Sequence, residues 1–79
     1  MQVNGKEPEV NTQRARVAKD RGGRAPSGLD RYLPANYHIA GEDERYVYIE
    51  GADSHGWTLL GYVIPRLASG LIWAEEVVS

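Results

Sequence analysis

Asp53, Ser54 and His55 are the three side-chain types of a nucleophilic hydrolase, set side by side. A working triad needs nucleophile, base and orienting group to converge from separate parts of a fold. Contiguous side chains diverge instead, and Asp, Ser and the following Gly56 are turn residues. The segment is expected to be a loop that holds no catalytic residue. Glu42, Asp43 and Glu44, with Glu50 and Asp53, offer carboxylates to a divalent cation. Their spacing lacks the alternating ligands around a central glycine of a calcium loop. An acidic tip between strands is more often a solvated turn that resists aggregation. Cysteine is absent, and the two histidines, His38 and His55, make a poor metal framework by themselves. Gly22-Gly23 leads into no Lys-Ser/Thr helix start, and no G-x-G-x-x-G occurs. These exclusions point away from an enzyme, with no metal and no cofactor expected.

Two other sets carry more promise. Arg14, Arg16, Lys19, Arg21 and Arg24 fall within eleven residues and are opposed only by Asp20. Guanidinium groups suit phosphate through bidentate hydrogen bonds as well as charge. They are the candidate contacts to nucleic acid, or to a neighbouring subunit. The second set is aromatic: Tyr46 and Tyr48, with His38 and with Trp73, which either joins them or packs beneath a helix. Neighbouring exposed aromatics anchor protein interfaces and stack bases. The blander reading packs them against Tyr32, Leu33 and Pro34 to complete the core.

The elements that must position these residues follow from composition and period. Residues 1–31 hold seven Lys/Arg and four Asp/Glu, a balance of +3, whereas residues 32–79 hold two and seven, a balance of −5. All five tyrosines and both tryptophans lie at or after Tyr32. The first part offers few sizeable aliphatics, too few to offset roughly 1–2 kcal/mol of backbone entropy per residue. Residues 1–30 are therefore expected to form a flexible basic arm, with at most a marginal helix near Asn11–Arg21. Residues 31–79 are expected to form one compact α+β domain.

Within that domain, Asn36–Ala40 and Arg45–Glu50 alternate and flank the tip Gly41–Glu44, which reads as a hairpin. Val47 and Ile49 face the core; Tyr46 and Tyr48 face the other way. Residues 58–70 admit two readings. The favoured one is a kinked helix capped by Thr58 and restarting at Pro65, with Leu60, Ile64, Leu67 and Leu71 on one side. The other is a strand ended by Pro65, which would make a small all-β, SH3-like sheet. Leu71–Val78 reads as a last strand. The favoured order is β-β-α-β, with the first hairpin strand between the other two and one sheet face left open.

A core of this size without cross-links points to association. The expected role is a non-enzymatic interaction or assembly protein. It would self-associate as a homo-oligomer or dock on a protein partner through the aromatic face, with the arm ordering on that partner. The alternative is a small nucleic-acid-binding protein. No apolar run reaches the length of a membrane span and no signal pattern opens the chain, so the expected location is cytoplasmic, without a membrane partner.

Overall fold

Arg14, Ala15, Arg16 and Val17 alternate polar and apolar side chains at period two, the period of a strand with one buried face. In the computed structural model, which describes residues 12–52 and 58–77, this stretch is a strand, β1 (Thr12–Ala18). It is joined by β2 (Tyr37–Glu42), β3 (Tyr46–Ala52) and β4 (Ala74–Glu76) in one antiparallel sheet of order β2-β3-β1-β4. β1 thus lies inside the sheet. It pairs with β3 from Thr12↔Ala52 to Ala18↔Tyr46, and with β4 from Ala15↔Glu76 to Val17↔Ala74.

This corrects the expected flexible arm and its border at residue 30. An inner strand needs few apolar residues, because its flanking strands satisfy its backbone. Ala15 and Val17 are both 0% exposed, and that is enough. Downstream, Leu29 is also buried, at the start of a 3-10 turn (Leu29–Tyr32). Residues 1–11 lie outside the described residues.

The expected hairpin is present. Its tip is tied by Asp43, whose Oδ1 accepts from the backbone N–H groups of Arg45 (2.8 Å) and Tyr46 (2.7 Å). Opposite the tip, Tyr37 is buried and packs on Gly51. A Cβ at Gly51 would lie 2.3 Å from the Tyr37 ring and 2.6 Å from the Asn36 carbonyl oxygen. The β-β-α-β arrangement is corrected in one respect. β3 and β4 both run antiparallel to β1, so they are parallel to each other, as a helical crossover requires. The strand between them is β1, and β2 stands at the edge.

Residues 59–69 are helical, which leaves the broad class α+β. A π-helical turn (Leu59–Val63) leads into α1 (Ile64–Ser69), with Thr58 Oγ1 accepting from Gly61 N at 2.9 Å. Pro65 explains the wide turn. It has no N–H to give and would crowd the carbonyl four residues back in a regular helix. The extra residue per turn also shifts the buried side. Leu59, Val63 and Leu67 face the core, whereas Leu60 and Leu71, expected there, are exposed. They pack on Ala15, Val17, Val47 and Ile49 from the sheet, with Ile72 beside them. A fully buried aliphatic side chain of this kind contributes about 1.5–3 kcal/mol. Among the described residues the covering elements lie on one face, leaving Arg14, Arg16, Tyr46 and Tyr48 on the other.

The helix ends unusually. Ile72 N bonds Leu67 O (3.0 Å) and Leu71 N bonds Ala68 O (2.9 Å), the double bond pattern that closes a helix through a left-handed residue. Glycine normally fills that position. Here Gly70 comes one residue early, under the Tyr32 ring, where a Cβ would meet ring atoms at 2.7 Å. The left-handed position falls to Leu71, with φ 63°. That conformation costs an ordinary residue roughly 1–2 kcal/mol.

Two outcomes test this fold. Gly51→Ala is expected to cost about 1–3 kcal/mol in urea denaturation, the range for overpacking. Gly41→Ala, with no atom within 4 Å of the added Cβ, is expected to stay within about 0.5 kcal/mol. Removing residues 1–18 should abolish cooperative unfolding altogether; a chain that still melts in one sharp transition would mean that β1 is dispensable.

Candidate interaction surface

The sheet register decides what the open face presents. Across β1 and β3, Arg14 stands opposite Glu50, Arg16 opposite Tyr48 and Ala18 opposite Tyr46. On the other flank Arg16 stands opposite Glu75. Directly opposed residues share a face and approach closely enough to interact. Arg14 Nε accordingly donates to Glu50 Oε2 at 2.8 Å. Arg16 Nε donates to Glu75 Oε2 at 2.7 Å, and its second nitrogen reaches the same oxygen.

The guanidinium of Arg16 also lies 4.4 Å from the centroid of the Tyr46 ring, a cation–π geometry. Its hydrogen bond to Glu75 holds the guanidinium pKa above its ordinary value, although partial desolvation opposes the effect. Tyr46 and Tyr48 sit 6.3 Å apart with their planes tilted by 48°. Glu75, Arg16, Tyr46 and Tyr48 thus form one contiguous row.

Tyr48 is tied down at its far end. Its hydroxyl donates to Asp43 Oδ2 at 2.7 Å, so Asp43 clamps the hairpin tip with one oxygen and the phenol with the other. The phenol's hydrogen bond is the largest cause that lowers the Asp43 pKa below 3.8, followed by the backbone bonds from Arg45 and Tyr46. The same bond is the largest cause that raises the Tyr48 phenol above 10.0. A lowered carboxyl contributes stability above the ordinary aspartate value and loses it as pH falls through the lowered value. A raised phenol contributes below pH 10 and loses it as pH rises through the raised value. The clamp therefore holds across the neutral range and opens at both extremes.

Trp73 joins this face at its edge and is 86% exposed. It does not pack beneath the helix. A cavity of about 180 Å³ is lined by Tyr46, Ala18, Trp73, Arg16 and Glu75. Of the aromatic set expected from sequence, Tyr46, Tyr48 and Trp73 come together. His38 lies on β2 opposite Glu50, exposed and toward the far end of the face.

The basic set divides. Arg14 and Arg16 lie on the face itself. Lys19 follows β1 directly, bonded to Glu42 Oε1 and to the Asp43 carbonyl (2.6 Å). Arg21 and Arg24 lie in the following turn, where Asp20 Oδ1 accepts from the backbone N–H groups of Gly22 (2.9 Å) and Arg24 (2.8 Å). Three of the five cations are thus matched by the chain's own carboxylates.

Sequence reasoning missed Asp43 as a clamp and Glu50 and Glu75 as partners of the arginines. The positions were legible: 46, 48 and 50 share one face of a strand, as do 73 and 75. The arginines they pair with lie in a stretch whose composition reads as an arm, which hides the pairing. Asp53, Ser54 and His55 lie outside the described residues. Among the described residues, no three His, Asp or Glu side chains group as a metal site, and no helix is long and apolar enough to cross a membrane. Comparison with protein-family models, with curated proteins and with solved structures finds no match.

The clamp makes a direct prediction. In Tyr48→Phe, the Asp43 carboxyl loses its largest stabilising partner and should titrate closer to the ordinary aspartate value. NMR titration of the Asp43 side chain in the two proteins measures this, and coincident curves would show that the hydroxyl does not hold the carboxylate.

Proposed function

We propose that this chain is a non-enzymatic interaction protein that docks a protein partner on the open sheet face. The observation that carries the reading is the composition of that face. Trp73, Tyr46, Tyr48 and Arg16 cluster on the side of the sheet that, among the described residues, no other element covers. Tryptophan, tyrosine and arginine are the residue types that dominate binding energy at protein interfaces. Glu50 and Glu75 neutralise the arginines, so a partner meets rigid aromatic rings inside a polar rim. The ion pair and the phenol clamp hold these side chains in place beforehand, which reduces the entropy lost on docking.

One observation favours a second reading, binding of single-stranded nucleic acid. Two tyrosines side by side on an open four-stranded antiparallel sheet are a platform of the kind on which bases stack. The matched charges weigh against it. A nucleic-acid groove gains affinity by giving cations to phosphates and releasing counterions. Arg14, Arg16 and Lys19 are already held by Glu50, Glu75 and Glu42.

A photo-crosslinking residue placed at position 46 is expected to give a protein adduct in cells, and the same residue at position 66, an exposed helix position, is expected to give none. In parallel, single-stranded RNA and DNA oligonucleotides are expected to leave the tyrosine and tryptophan fluorescence unchanged at physiological salt. Saturable, salt-sensitive quenching with no protein adduct would replace the docking reading with the nucleic-acid one.

A further inference from the structure

Leu71 holds a left-handed backbone with its side chain 90% exposed. Glycine in its place would relax the backbone and remove an apolar group from water. A strained residue whose side chain gains little inside its own chain is an outlier that points to a contact elsewhere. Trp73, two residues on, is nearly as exposed. Against these two side chains lie two recesses. One, of about 160 Å³, is lined by Ala68, Leu71, Ile72 and Trp73. The other is a groove of about 530 Å³ between residues 71–73 and the segments 18–20 and 24–27, with Ala18, Ala25 and Pro26 as its apolar lining and Lys19, Asp20 and Arg24 beside them. An apolar projection and an apolar recess therefore share one corner of the molecule.

We propose that this corner is a two-fold contact between two copies of the chain, the Leu71–Trp73 projection of each filling the groove of the other. Three features select a second copy as the occupant. The first is self-complementarity: a two-fold interface presents one patch to itself, so projection and recess must lie on the same patch, as they do here. The second is charge. The groove is lined by Lys19, Asp20 and Arg24; Lys19 is held by Glu42, whereas among the described residues no ion pair engages Asp20 or Arg24. An acid and a base on one patch allow each to meet its opposite across a two-fold axis. The third is size. The described core has ten buried hydrophobic residues and the chain has no cysteine, a composition that gains stability by association. Trp73 can bury on the order of 200 Å². A standard interface needs about 800 Å² per partner, and the 24–27 segment and the end of α1 supply the surrounding rim.

The inference does not rest on docking at the open face. Trp73 is common to both surfaces, but Leu71 does not line the cavity beside Tyr46, so the test is placed on Leu71. Sedimentation equilibrium of the full chain, from low micromolar to the highest attainable concentration, tests it. Wild type is expected to dimerise with rising concentration. Leu71→Gly is expected to raise the dissociation constant at least about ten-fold. At a dilution where both proteins are monomeric, its urea midpoint should be unchanged or higher, since the backbone strain is gone. Leu60→Ser, which removes a different exposed leucine, should leave the dissociation constant where it was. A wild-type monomer at every concentration overturns the proposal and gives the corner to a foreign partner. An unchanged dissociation constant in Leu71→Gly overturns it as well, and a lowered midpoint in that case would make Leu71 a purely internal structural residue.

Discussion

Without β1 the sheet falls into two pieces. The hairpin of β2 and β3 would stand alone, and the three residues of β4 would have no neighbour. Two strands by themselves are marginal in water, and three or more with a covered face are needed for independent stability. The insertion of one strand, with two buried side chains of modest size, therefore fixes everything else. It places the helical crossover between parallel strands, gives Leu59, Val63 and Leu67 a continuous surface to cover, and sets the register that lines up Arg14 and Arg16 with their acidic partners.

That dependence also explains which parts of the fold were legible. Tyr46–Glu50 is β-branched and aromatic, alternates cleanly and borders a turn, so both the hairpin and the two faces of β3 could be read locally. β1 could not be found by weighing apolar content, because alanine and valine serve its buried face and arginine its open one. The charge asymmetry between the two parts of the chain had a similar source. It looked like a basic tail on an acidic unit. In the fold it is a basic strand laid against acidic ones, with Arg14, Arg16 and Lys19 meeting Glu50, Glu75 and Glu42. Composition registers the imbalance, and only the pairing shows that it is cancelled.

The helix was legible in kind and out of phase in detail. Thr58 and Pro65 mark its start and its kink, as their chemistry suggests. A regular 3.6-residue period nonetheless picked Leu60 over Leu59. The wide turn before Pro65 advances the chain by a residue and rotates the buried stripe. Trp73 has two placements in sequence because a single aromatic near a chain reversal has no period to assign it. Its position at the edge of the open face follows from the early end of the helix and the brevity of β4. The aromatic part of the candidate surface was therefore visible in sequence, while its electrostatic half depended on a strand that was not.

The place of β1 in the sheet also bears on how the chain is made. A ribosome adds about 5–20 residues per second, so β4 emerges on the order of 3–12 seconds after β1. β1 is made before both of its partners, Tyr46–Ala52 and Ala74–Glu76. In that interval a strand with unpaired backbone waits for sequence that does not yet exist. The sheet is thereby deferred until β4 has been made. During that interval the arginines of β1 keep it hydrated, and the charges that later fasten the sheet first serve to keep the nascent segment from aggregating.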